Sequence, residues 1–246
     1  MKIDLGTMIW KEARSLFRQR GSRTRALLTL LTPVAFFAVY GPWSVGRDWA
    51  TDPLSVIAAV ITPMLIVTLV IPDSIAGERE RHTLPTLLAS RLPDRAILFG
   101  KVLYAVGVAW GVTLVTLLLG LVTVNLVHWD GRVLFYDPTV AVAVVSLSLL
   151  TAVLAAGIGV FISLRAKTVQ EAQQLLAAAV LAPITLLGPV VLLLSQATDF
   201  SLIDRIAALD GEMLLAGTVA VLLAIDALLV FLAVRRFQRP RLIGDR

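Results

Sequence analysis

The chain has 246 residues, 58% hydrophobic and 16% charged, with a mean hydropathy of +0.86 and a formal net charge of +5. Soluble domains hold about 45–50% apolar residues, so a soluble globular fold is excluded. Without a cysteine there is neither a disulfide framework nor a thiolate metal site.

The leading stretch "DLGTMIWKEARSLFRQR" places Leu5, Met8, Ile9, Leu16 and Phe17 near one helical face, with Lys11, Glu12, Arg14, Arg18 and Arg20 on the others. Residues 1–22 therefore read as an amphipathic helix in the membrane interface, its cations near anionic lipid headgroups. Six apolar runs follow, at about 26–45, 54–75, 97–127, 140–164, 175–194 and 213–234. Each is close to the roughly 20 residues that a spanning helix needs. None alternates with period two, which argues against a membrane β-barrel. The expectation is an all-α integral membrane protein, a single transmembrane domain over 1–246 with six transmembrane helices. Gly77 is expected to end the second span, and Asp94 to cap the third.

Nineteen of the 22 lysines and arginines fall on one side of such a bundle: before the first span, in the second and fourth loops, and in the tail. The other side keeps Arg47, Arg132 and Arg205 against eight acids. The positive-inside rule then puts both termini in the cytoplasm of a multi-pass protein of the cell (inner, cytoplasmic) membrane. Tyr40, Trp43, Trp49, Trp129 and Tyr136 fall at the outer boundary as an aromatic belt. The net positive charge is thus an orientation signal, with membrane lipids as partner and no nucleic acid.

The most charged loop, 76–96 with its run into the third span, reads "GERERHTLPTLLASRLPDRAILFGK" from Gly77 to Lys101. A short helix with an apolar face fits Thr83 to Leu88, with Pro85 in its first turn. Leucines exposed at a membrane surface ask for a partner. Glu78, Glu80, Thr83, Leu84, Leu87, Leu88, Ser90, Gly100 and Lys101 match the recurring loop pattern of type-2 ABC exporter permeases, which this segment resembles. His82 stands where glycine is usual, Pro85 where glutamate is usual and Arg91 where proline is usual. The resemblance implies that the loop is a coupling helix docking on a separate ABC ATP-binding subunit. It also implies a second permease copy or paralogue facing the first, a 12-helix dimer. ATP and Mg would sit on the partner subunit, and no cofactor on this chain. The chain agrees by omission: Gly100-Lys101 is followed by Val102 and preceded five residues earlier by Arg95, so no phosphate-binding loop is formed.

Weaker signals remain. Gly107-x-x-x-Gly111, and Ala152, Ala155, Ala156 and Gly159, read as close helix contacts within the chain. Pro183, Gly188 and Pro189 are expected to break the fifth span, with Phe200, Ile203, Ile206 and Ala207 on an amphipathic helix beyond it. That stretch, 181–212, suits either a re-entrant element or a plain loop. Asp226 is the one acid well inside a span, a possible intramembrane polar site. It reads as a packing contact to a hydroxyl or backbone group. An ion-coupled carrier or channel built on Asp226 is the alternative to an exporter permease. An integral membrane enzyme finds no Ser/His/Asp cluster, and His82 and His128 lie on opposite sides and cannot share a metal.

Overall fold

The computed structural model describes residues 2–18, 31–51, 53–83, 92–197 and 210–236, and among them every regular element is helical. The helices are α1 (Lys2–Arg18), α2 (Gly41–Val45), α3 (Pro53–Glu80), α4 (Asp94–Val127), α5 (Pro138–Arg165), α6 (Val169–Ala197) and α7 (Gly211–Arg236). A π-helical turn at Phe36–Tyr40 leads into α2, and a 3-10 turn at Gly46–Ala50 follows it. Four of these helices, α3, α4, α5 and α7, are long and apolar enough to cross a membrane. They coincide with the expected second, third, fourth and sixth spans. Of the expected first span only residues 31–45 are described.

Two breaks expected from sequence do not occur. Helix α6 continues through Pro183, Gly188 and Pro189 to Ala197. A proline removes one amide donor, yet apolar surroundings offer the backbone no better arrangement than the remaining helix. Helix α6 starts at Val169, where the Glu171 amide donates to Thr168 Oγ1 at 3.1 Å and Glu171 Oε2 accepts from the Lys167 amide at 2.8 Å. Gly77 likewise does not end α3, which continues to Glu80. Its missing Cβ admits neighbours instead: a Cβ there would lie 2.9 Å from Arg81 and 3.4 Å from Val169. Nor does Asp94 cap α4: the cap position is Pro93, and Asp94 lies in the first turn, where its charge favours the helix dipole. Asp137 does cap α5, accepting from the Thr139 amide at 2.9 Å.

Helix α3 ends in a Schellman motif. The Thr83 amide donates to Glu78 O at 2.9 Å and the His82 amide to Arg79 O at 3.0 Å. His82 occupies the left-handed position with φ of 57°. That conformation explains why glycine is usual in the resembling loops, since a Cβ there costs about 1 kcal/mol or more. His82→Gly is therefore expected to raise thermal stability slightly, read as a higher unfolding temperature in detergent.

The core runs along α3 and α5. Ala152, Ala155 and Ala156 are fully buried, and a Cβ added at Gly159 would meet Ile71 Cγ2 at 2.9 Å. These small residues let the backbones approach as expected. Gly107 and Gly111 do not: a Cβ at either would have nothing within 4 Å. The expected contact within the chain is absent among the described residues, because α4 turns that face outward. Helix α7 is peripheral, with Asp226 and Ala233 its buried residues.

At the tryptophan-bearing end, the belt splits in two. Tyr40, Trp43 and Trp129 are exposed, as a belt requires, whereas Trp49 is buried. Trp49 donates through Nε1 to Tyr136 Oη at 3.1 Å, and Tyr136 donates to Leu117 O at 3.0 Å. Burial pushes the Tyr136 phenol up to about 12, partly offset by the Trp49 hydrogen bond. This pair is a packed cap holding the first loops onto α4 rather than part of the belt.

Candidate functional site at the foot of the charged loop

The opposite end, rich in lysine and arginine, is organised by the last turn of α3. Three consecutive side chains there reach three different neighbours. Glu78 turns inward to α4 and α1, accepting from Lys101 Nζ at 3.1 Å and from Lys11 Nζ. Arg79 crosses to the C-terminus of α5, donating to Leu164 O at 2.8 Å and Ala166 O at 3.2 Å. These carbonyls are left without partners where a helix ends, and a cation also suits the dipole there. Glu80 accepts from the Val169 amide at 3.0 Å, at the N-terminus of α6. One turn of helix thus ties α3 to α1, α4, α5 and α6.

Lys101 is the centre of the inward group. It is 1% exposed and donates to Glu12 Oε1 at 2.9 Å and to Ser74 O. Glu12 is 4% exposed, and Lys11 Nζ lies 3.6 Å from its carboxylate. Two lysines and two glutamates therefore form a formally neutral cluster. Removing an ammonium group from water costs several kcal/mol unless paired carboxylates and hydrogen bonds offset it. Glu12, Glu78 and the Ser74 carbonyl provide that offset. Glu78 Oε2 is buried without a hydrogen-bond partner among the described residues. At the rim, Arg81 pairs with Asp73 at 2.5 Å across Gly77.

Helix α1 is seated by the same group. Met8 is 1% exposed and lies over Gly100, where an added Cβ would come within 2.6 Å of Met8 Cβ. The buried face of α1 carries Met8 and Glu12, one turn apart. Ile9 and Trp10 point away from the bundle, and Arg14 stacks over Trp10 at 4.9 Å. The sequence had grouped Met8 with Ile9 and had left Glu12 on a polar face. A glutamate looks solvated until its lysine, 89 residues away in sequence, is placed beside it.

The residues read from sequence as a docking segment thus divide. Glu78, Gly100 and Lys101 are buried in the foot of the loop. Glu80 and Thr83 are exposed, and Thr83 Oγ1 donates to Glu78 O at 3.2 Å. Leu84, Leu87, Leu88 and Ser90 lie outside the described residues. Lys11, Glu12, Asp73, Ser74 and Arg79 belong to the site and were missed. The available signal was charge placed in or beside an apolar run, since such groups need partners. No group of three or more His, Cys, Asp or Glu residues that could hold a metal is found among the described residues.

Asp226 stands apart from this cluster. It is 5% exposed, and neither carboxylate oxygen has a hydrogen-bond partner among the described residues. The contact to a hydroxyl or backbone group expected from sequence is not made among the described residues. Three hydroxyls of α5 bond their own helix instead, Ser146 to Val142 O, Ser148 to Val145 O and Thr151 to Leu147 O, while Ser163 Oγ is buried without a partner among the described residues.

No curated protein shows significant similarity to the chain. The family model for the ABC-2 type transporter matches residues 4–203, from α1 through α6 and beyond. That stretch contains the whole charged foot and three of the four described spans. The chain is therefore a multi-pass membrane protein of the ABC-2 type transporter family, a permease component of membrane transport.

Proposed function

We propose that the chain is the membrane half of an ATP-driven exporter, powered by a separate ATP-binding subunit that docks on the segment between Thr83 and Leu92. The observation that supports this best is the way that segment is rooted. Glu78, Arg79 and Glu80 join its foot to α1, α4, α5 and α6, so a force on the loop reaches all four helices. A loop that merely set topology would need none of these ties. Leu84, Leu87, Leu88 and Ser90 supply the contact with the partner, helped by the exposed Glu80 and Thr83. Glu78, Gly100 and Lys101 transmit the force.

In this reading the spans near 26–45 and 175–194 complete six in a single domain, and both termini lie in the cytoplasm of an inner membrane. A second copy or a related chain faces the first to enclose a path, since six helices leave little room for cargo. ATP and Mg bind the partner, which supplies the energy, and this chain supplies the passage. The test is reconstitution in liposomes with and without its partner ATP-binding subunit. Hydrolysis is expected to rise when the permease is present and to rise again with cargo. A hydrolysis rate indifferent to the permease would sink the reading.

A further inference from the structure

Asp226 is a buried acid that neither the charged foot nor ATP-driven coupling uses. It sits in the seam between α7 and α5, the helix on which α7 mainly packs. Its neighbours on α7 are apolar and face outward: Leu223, Ile225 and Leu228 are 52%, 40% and 55% exposed. No opposite charge lies on either helix beside it. Between Asp137 and Arg165, α5 carries no charged residue, and between Glu212 and Arg235, α7 carries none but Asp226. The α5 hydroxyls at Ser146, Ser148 and Thr151 are committed to their own backbone. An ionised carboxylate in such a place has neither cation nor donor among the described residues to compensate it. A carboxylic acid carrying its proton needs neither.

We propose that Asp226 is an intramembrane proton-binding site, holding a proton while α7 lies against α5 and releasing it when the seam opens to water. The seam is close-packed at the next turn, where a Cβ built on Gly157 would lie 3.1 Å from Leu229 Cβ. An opening that connects to the aqueous side wets Asp226, and ionisation of Asp226 in turn favours that open, wet seam. The site takes a proton, and its chemistry is independent of how the exporter is powered.

Two measurements on the full chain in membranes test this. The first compares an apolar carbodiimide with a water-soluble one at neutral pH. A protonated carboxyl gives its proton to a carbodiimide nitrogen while its oxygen adds to the central carbon. The acyl group then migrates to nitrogen, leaving a stable N-acylurea that keeps every atom of both. The apolar reagent is expected to label Asp226 about tenfold or more over Glu212 on the same helix, and the soluble reagent to reverse that order. The label is expected to be lost in Asp226→Asn.

The second exploits a chain without cysteines. Gly157→Cys with Leu229→Cys puts two thiols across the seam, close enough to join. Their crosslinking is expected to weaken several-fold with rising pH relative to the same pair in Asp226→Asn, which cancels the thiols' own pH response. Asp226 left unlabelled by the apolar reagent, or identical pH profiles with and without Asp226→Asn, would overturn the proposal. Either failure would leave the docking of an ATPase on the loop untouched.

Discussion

Lys101→Met is expected to destabilise the protein by about 3–5 kcal/mol, the largest effect of any single substitution in the loop foot. The lysine is 1% exposed and meets Glu12 Oε1, Glu78 Oε1 and the Ser74 carbonyl. Methionine fills much of the same volume but removes the charge. Lys11 is then left as the nearby cation for two carboxylates, and Glu12 loses the partner it meets at 2.9 Å. The cost comes from stranding buried charge, not from losing an attractive pair. Neutralising one carboxylate as well should therefore recover part of it: Lys101→Met with Glu12→Gln is expected to be more stable than Lys101→Met alone. Thermal unfolding in detergent measures all three proteins. A single cysteine at position 8 reports whether α1 has lifted, because Met8 is covered only while α1 stays on Gly100. A Lys101→Met protein as stable as its parent would show that the cluster does not hold the foot together.

Leu87→Asp together with Leu88→Asp is expected to abolish binding of the ATP-binding subunit while leaving membrane insertion intact. Both positions lie between the exposed Thr83 and the partly buried Leu92, outside every described span. Insertion is set by the apolar helices, so two acids in the loop do not disturb it. Docking is different, because an apolar anchor replaced by a carboxylate leaves an unpaired charge in a desolvated contact. Such a change costs about 2 kcal/mol or more at each anchor, roughly 30-fold in affinity. The pair should therefore separate on copurification, and transport should stop. A complex that still copurifies and transports would remove the docking role from this segment.

The two variants attack different parts of one device. The aspartates disturb its outer surface and leave the foot alone. Lys101→Met weakens the foot while leaving the outer side chains unchanged, so binding should outlast coupling. That order of loss is what distinguishes a force-bearing root from a contact surface.

Much of this protein is legible locally. Long apolar runs identify α3, α4, α5 and α7 because a bilayer rewards a continuous helix whatever its neighbours are. The skew of lysine and arginine marks the charged loop, and small residues mark where α5 approaches α3 closely. Even the unusual His82 had a local meaning, the left-handed residue that closes α3. Each of these signals is carried by residues near one another in sequence.

The tertiary structure decided what depends on partners far away. Lys101 looks like a surface lysine at the start of a span, and only the convergence of α1, α3 and α4 brings Glu12 and Glu78 onto it. Gly77 and Gly107 are both plain glycines in sequence. One admits Arg81 and Val169 and lets α3 continue, while the other faces open space. Asp226 reads as one more acid awaiting a hydroxyl or backbone group, yet Ser146, Ser148 and Thr151 of α5 bond their own helix. Sequence determines which groups must be compensated, since that follows from charge and hydration alone. Which atom compensates them is a matter of geometry between helices, and no local pattern contains it.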